Sequence, residues 1–541
     1  MPRKSLVLIL SLCAILAIAG TSGAIASNLV IPLPPTVHTH EGRITGMTVD
    51  GINEFLGIPY AAPPIGPHRW RPPIAHSHFS KPFAATAFGS QCVQPGGAGS
   101  EDCLFLNVFT PESAGPTSDL PVMVWIHGGG LTKGDSSQFD PSGLVAQGVI
   151  VVTINYRLGY FGFFAETAID AERHALGNYG LMDQQFALKW VQKNIAGFGG
   201  NSAEVTIFGE SAGGESVYAN VASPTAAGLF RAAISESGAF IFGSLFTPII
   251  TLAEGETMGT GAVPSGSAIA ASLKCTDHHI AACLRAVPAD TIAGIEVGTV
   301  DPFVDGTTLT QTPEAAFASG EFNQVPMISG SNHDEYRYFI AVDYDLMMMP
   351  LTDDGYPAAV AQTVHQPETS TLVQSLVNTA YPLANYPPPS GYSVNAPLAL
   401  GALGTDFMFA CPVRNVNLAL VAAKVPVYAY EFNDETAPAP PMFAGDTLSF
   451  PLGDCHTVEL QYLFSMGATF TSDEMTLSQT MIDYWTQFAK TLNPNSSTAP
   501  SAWPEYGAGG SIESLIAPTP TTEADSGFDT DHQCSSLWNT L

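Results

Sequence analysis

Val205-Thr-Ile-Phe-Gly-Glu-Ser-Ala-Gly-Gly214 is the stretch on which the reading of this chain turns. The apolar run Val205 to Phe208 reads as a buried strand and leads straight into Gly209-Glu210-Ser211-Ala212-Gly213, after which the residues suit a helix. Small residues at 209 and 213 allow a sharp reversal that leaves Ser211 strained and exposed above the sheet. A helix starting at Ala212 brings free backbone N–H groups and its positive end beside the hydroxyl. The G-x-S-x-G pattern alone carries little weight in a chain with 51 glycines. Its weight comes from the strand before it and the helix after it.

Similar apolar runs occur on both sides of this segment. Val122 to Ile126, Val149 to Ile154, Ala232 to Ile234, Pro326 to Ile328 and Val425 to Tyr430 are continuous rather than alternating, as expected of strands covered on both faces. Between two of them, Leu181, Leu188, Val191 and Ile195 recur at helical spacing within Asn178 to Ala196. Strands alternating with helices imply an α/β fold with a mostly parallel central sheet. Near the start, Arg43 to Val49 and Ile52 to Ile58 flank Asp50-Gly51, a hairpin signal. Two segments read as excursions from the sheet, 336–424 and the Pro- and Ala-rich 433–455, within one catalytic domain spanning 27–541. The run Met347-Met348-Met349 is expected to fill core, with a flexible pocket wall as the alternative.

A serine nucleophile needs donors aimed at the oxygen that becomes an oxyanion. Trp125-Ile-His-Gly-Gly-Gly130 follows an apolar strand and supplies backbone that can approach a substrate closely. The N–H groups of Gly129, Gly130 and Ala212 are the expected donors. An acid and a base should follow, each beyond a later strand, where open α/β sheets place ligands. Gly330-Ser-Asn-His-Asp-Glu335 and Gly453-Asp-Cys-His-Thr-Val-Glu-Leu460 fit those positions. His456 is the candidate base, while the pattern by itself does not separate Glu335 from Asp334 as the acid.

Composition narrows the function further. The chain has 541 residues, with 18 basic and 49 acidic side chains and a formal charge of −31. No basic face for nucleic acid is expected, and polyanionic substrates are disfavoured. The acidity suggests solubility or stability in an acidic medium. Arg3 and Lys4, the apolar run Leu6 to Ala19 and Ala24-Ile25-Ala26 read as a cleavable export signal, 1–26. No later stretch reads as a membrane span, so no stable membrane anchor is expected. Export permits disulfides among the seven remaining cysteines, although spacing does not dictate the pairing. Neither C-x-x-C nor H-E-x-x-H occurs, so no metal or cofactor is expected.

Taken together, the motifs resemble the type-B carboxylesterase/lipase family, which includes the cholinesterases. The matching segments are Phe55-Leu-Gly-Ile-Pro-Tyr-Ala61 with Pro63-Pro64, Ser100-Glu-Asp-Cys-Leu-Phe-Leu-Asn107, the His127 glycine run and Asn155-Tyr-Arg-Leu-Gly159. Gly177-Asn-Tyr-Gly-Leu-Met-Asp-Gln184, Gly199-Gly-Asn201 and the Ser211 elbow extend the match, which runs from about residue 40 to Trp538. The resemblance implies an α/β-hydrolase fold with an N-terminal β-hairpin and a Ser211–Glu335–His456 triad. It also implies an oxyanion hole from Gly129, Gly130 and Ala212, with Ser237 as partner of the acid and Glu210 alongside. Disulfides Cys92–Cys103, Cys275–Cys283 and Cys411–Cys534 follow from the same match, leaving Cys455 as a buried, inert thiol. Arg69 with Glu101 and Arg157 with Asp183 resemble the family's structural ion pairs.

Two positions depart from the family pattern: Tyr336 stands where glycine usually follows the acid, and the Cys92–Cys103 loop lacks the tryptophan of the choline site. The expectation is a secreted or periplasmic hydrolase of small-molecule carboxylic esters, acting through an acyl-enzyme. The alternatives are a true lipase on long-chain esters and a non-catalytic adhesion module.

Overall fold

The computed structural model describes residues 33–541 apart from 243–248, 260–263, 277, 296–299, 498 and 508–509. The expected signal segment 1–26 and its cleavage point after Ala26 lie outside the described residues. Residues 35–541 form one unit.

The apolar runs come together in a sheet of eleven strands among the described residues. In chain order these are β1 (Met47–Val49), β2 (Ile52–Pro59), β3 (Phe105–Pro111), β4 (Leu120–Ile126), β5 (Ile150–Ile154) and β6 (Gly200–Glu210). They continue with β7 (Ala232–Glu236), β8 (Met327–Asn332), β9 (Val427–Phe432), β10 (Ser511–Leu515) and β11 (Thr521–Ala524). Their spatial order is β11-β10-β9-β8-β7-β6-β4-β5-β3-β2-β1. The strands from β5 through β10 in that order pair parallel, and the pairs at either edge are antiparallel.

Side chains on a strand alternate between faces. All five residues of β5 are nonetheless fully buried, so both faces of the sheet are covered there. The helices include α1 (Tyr179–Asn194), α2 (Ala212–Ala222), α3 (Ala396–Thr405), α4 (Cys411–Ala422) and α5 (Ser472–Thr491). α2 packs on β6 and β7, α4 on β8 and β9, and α5 on β4 and β6. α1 fulfils the expected helix and gives way to a 3-10 turn that ends at Gly199 with φ 92°.

The hairpin is present, with Val49 opposite Ile52 and positive φ at both Asp50 (48°) and Gly51 (82°), the type I′ signature. Its first arm is shorter than expected because the chain bends at Gly46, where a Cβ would lie 2.3 Å from the Glu54 carbonyl oxygen. Residues 43–45 pair instead in a small three-stranded sheet. The methionine run is not core: Met347, Met348 and Met349 are 58%, 88% and 67% exposed. They lie past the end of the helical turn whose Ile340 and Ala341 already fill the interior.

The segment expected to leave the sheet also returns earlier than 424, since α4 covers β8 and β9 as an ordinary crossover helix. The continuous helical stretch Ala396–Ala422 is long and apolar enough to cross a membrane, contrary to the reading of the sequence. However, 89% of its apolar window is buried inside the protein, which is how a core helix behaves.

All three expected disulfides form: Cys92–Cys103, Cys275–Cys283 and Cys411–Cys534, with Cys455 free and buried. Both ion pairs are present as two-point contacts, Arg69–Glu101 at 2.6 Å and Arg157–Asp183 at 2.7–2.8 Å.

Candidate active site

β6 ends at Glu210 and α2 begins at Ala212, so Ser211 alone makes the turn, with φ 56° and ψ −128°. This is a strained conformation for a residue with a Cβ. The end of β4 passes so close beneath the turn that the flanking positions must be glycine. A Cβ at Gly209 would lie 2.6 Å from the Ile126 carbonyl oxygen, and one at Gly213 only 2.0 Å from it. The Ser211 N–H donates to the Glu236 carbonyl at 2.9 Å, which ties the elbow to β7.

The glycine run leaves the end of β4 beside this elbow. A Cβ on Gly128 would come within 3.0 Å of Ser211 Cβ. Gly129 and Gly130 take φ of 102° and 61°, and the Gly129 carbonyl accepts the N–H groups of Thr132 and Lys133. Among the described residues, nothing accepts a hydrogen bond from the Gly129 or Gly130 N–H. As the first residue of α2, Ala212 has no intrahelical acceptor for its N–H either. His127 fixes the loop: its ring stacks on Tyr156 with centroids 4.6 Å apart, and its Nδ1–H donates to the Gly128 carbonyl at 2.8 Å. Burial lowers its pKa to about 4 and keeps the ring neutral.

Glu335 and His456 come from the loops after β8 and β9. The Glu335 carboxylate is fully buried, accepts the Asn332 N–H at 2.9 Å through Oε1, and holds His456 Nδ1 at 2.5 Å through Oε2. Asp334 turns the other way and pairs with Arg337 at 2.5 Å. The structure therefore brings Glu335, not Asp334, to the imidazole.

The other imidazole nitrogen, Nε2, faces Glu210 Oε1 at 3.2 Å, directly beside Ser211 in sequence. No hydrogen bond joins the Ser211 hydroxyl to Nε2. Ser237 sits just past β7 with φ 52°, and its N–H donates to the Gly330 carbonyl. Its hydroxyl is buried without a partner among the described residues, so the expected bond to Glu335 is not made.

Three further buried carboxylates form a cluster with Glu335 through Glu210 and Glu459. Glu210 is raised to about 7, chiefly by burial, with His456 pulling it down and Glu335 pushing it up. Glu236 is raised to about 8 by burial although Trp485 Nε1–H donates to it at 2.9 Å. Glu459, fully buried, is raised by burial and then by Glu210, Glu335 and Glu236, and Asn332 donates to it at 2.5 Å. Burial would lower His456, but Glu210 and Glu335 outweigh it and hold the imidazole above its ordinary 6.5. Glu236 and Glu459 were not singled out from the sequence. The only hints were a glutamate two residues beyond the apolar run 232–234 and another three residues after His456.

The rings of Tyr338, Phe339 and Phe409 surround His456, with centroids 5.2–5.6 Å from it. Phe240 packs on Phe409 and opens onto a cavity of about 350 Å³ lined also by Tyr336, Ile340, Asp343, Leu400 and Met408. Much of the 336–424 segment thus walls a cavity next to the site, with Met408 there rather than the 347–349 run. A larger groove of about 990 Å³ lies by Asp50, Leu120 and Gly148, at the opposite ends of β4 and β5 from the glycine run.

A strained serine between a parallel strand and a helix, with its partners on loops after later strands, defines the α/β-hydrolase fold. Within that class the chain belongs to the carboxylesterase family, whose model matches residues 33–532. It is 36% identical to an acylcarnitine hydrolase of Mus musculus, over 87% of this chain and 85% of that protein. It is 35% identical to a cocaine esterase of Oryctolagus cuniculus, over 85% of this chain and 88% of that one. A solved structure, a PNB esterase, superposes with a TM-score of 0.72 at 31% identity, covering 92% of this chain and all of its own. The protein is a carboxylic ester hydrolase acting on small-molecule esters.

Proposed function

We propose that hydrolysis proceeds through an acyl-enzyme on Ser211, with His456 as general base and acid and Glu335 as its orienting carboxylate. The observation that carries this reading is the His456 ring, fixed by Glu335 at 2.5 Å through Nδ1 with Nε2 turned to the Ser211 elbow. Nε2 takes the Ser211 proton as the hydroxyl attacks the ester carbonyl, then returns it to the departing alcohol. The serine–imidazole hydrogen bond forms as substrate settles, since such contacts tighten on going from the free enzyme to the complex. The oxygen that gains charge is received by the N–H groups of Gly129, Gly130 and Ala212, which have no acceptor among the described residues. Water then repeats the sequence on the acyl-enzyme. Glu335 holds the tautomer, and the Glu210 carboxylate favours the imidazolium that forms between the two steps.

Hydrolysis of p-nitrophenyl esters from acetate to palmitate, comparing the wild type with Ser211→Ala, tests this. Turnover should vanish in the variant, and an organophosphonate should add once, on Ser211. Turnover that survives in Ser211→Ala would remove the nucleophile from the proposal. The chain-length optimum also decides between an esterase and a true lipase.

Export is part of the same reading. The N-terminal pattern and the three disulfides suit an oxidising compartment. N-terminal sequencing of the mature protein should begin at Ser27.

A further inference from the structure

Behind the acid and base loops, His333, Asp334 and Asp454 each turn one ligand atom towards a common point, all within 4.8 Å of one another. Asp334 adjoins Glu335, and Asp454 lies two residues before His456, so the trio bridges the two loops that carry the acid and the base. His333 Nδ1 and Asp334 Oδ1 are 3.5 Å apart. That is long for a hydrogen bond but close to the edge, ~3.4 Å, of a tetrahedron with metal–ligand bonds of ~2.0–2.1 Å.

Asp454 supplies a second, independent observation. Its side chain is fully buried, and no donor among the described residues reaches either carboxylate oxygen, whose near neighbour is the Asp334 carboxylate. A buried carboxylate without a compensating charge or hydrogen bond is costly, and is relieved by taking up a proton or a cation. Arg337 offsets that cost only in part, because its Nη1 is engaged by Asp334 Oδ2.

His333 also belongs to another trio, with Glu431 and His532. There both His532 nitrogens are already taken, by Asp406 at 2.6 Å and Glu431 at 2.7 Å. That trio is closed and the first is open. The His333 side chain is 43% exposed, which gives a cation a way in from solvent.

We propose that His333, Asp334 and Asp454 bind a divalent transition-metal cation that clamps the acid loop to the base loop. One imidazole with two carboxylates suits zinc or manganese better than calcium or magnesium, which favour all-oxygen sites. The cation takes no part in bond cleavage. It acts by favouring the folded state, to which alone it binds.

The test uses the full chain, stripped with a chelator and studied at 150 mM salt to suppress adventitious binding by an acidic surface. Equilibrium dialysis with metal analysis should find one equivalent of Zn²⁺ or Mn²⁺, and Tm should rise by at least about 3 °C at saturation. Co²⁺ should give the visible absorption of a low-symmetry site with a nitrogen ligand. Asp454→Asn and His333→Gln should each bind at least tenfold more weakly. The half-exposed His333 provides a variant whose folding is not at stake, checked by circular dichroism. Retention of no cation and no change in Tm would overturn the proposal. So would equal binding in both variants, or Ca²⁺ binding as tightly as Zn²⁺, because either would mean surface association only.

Discussion

Around Ser211 the site is shaped by backbone: three consecutive glycines, a serine held at positive φ, and a strand end so close that Gly209 and Gly213 admit no side chain. Around His456 it is shaped by side chains from loops 121 residues apart, with carboxylates on both sides of the ring. The first half is a steric construction, set by the close approach of backbone to backbone. The second is an electrostatic one, in which the imidazole stays basic only because two carboxylates outweigh its burial. Steric substitutions should therefore damage the first half, and protonation or charge removal the second.

The largest effect should come from Ser211→Ala, a loss of kcat on the order of 10⁴- to 10⁶-fold without loss of Tm. Steady-state kinetics with active-site titration checks it. Next, Glu335→Gln should reduce kcat by ~10²- to 10⁴-fold, whereas Asp334→Asn should cost less than about tenfold. Kinetics of the two variants side by side would move the acid to Asp334 if the order were reversed.

Gly213→Ala drives a Cβ into the Ile126 carbonyl oxygen and should destabilise the fold by at least ~3 kcal/mol, read from urea unfolding. A tolerated alanine there would break the distinction between the halves. The smallest effect is a shift in pH dependence. His456 must be neutral to act as base, so kcat/KM should fall as pH drops through a value above 6.5. Glu210→Gln removes a negative charge beside Nε2 and should move that limb to lower pH, while an unmoved limb would detach Glu210 from the base.

The same division governs what could be read before the structure. The elbow and the glycine run are contiguous and depend on residue types with one conformational meaning, so Ser211, Gly129 and Gly130 were legible together with the strands that carry them. Glu335 and Asp334 were not separable by pattern, because the choice rests on which of two adjacent side chains turns towards the imidazole; only the family resemblance pointed to Glu335. Glu236 and Glu459 escaped notice because a glutamate at a strand end looks like any soluble residue until the chain buries it. The methionine run misled for the opposite reason, since an apolar composition does not say where a helix ends. A cation site made from His333, Asp334 and Asp454 has no sequence motif at all, as its third member arrives from a loop 120 residues away.

The buried carboxylates have a consequence for the protein's endurance. Glu210 and Glu523 titrate near 7, and Glu236 and Asp170 near 8, each raised first of all by burial. A carboxyl group raised on folding binds protons in the folded chain that the unfolded chain has already released. Between pH 5 and 8 these groups therefore make folding less favourable as pH rises. His532, held near 10 by Glu431 and Asp406 against its burial, adds to the same trend, and His127, lowered to about 4, opposes it only at the acidic end. Melting temperature should climb as pH falls from 8 towards 6, while turnover declines through the titration of His456. Mild acid would then be a resting state for this enzyme: idle, but at its most durable, and restored to work by neutralisation.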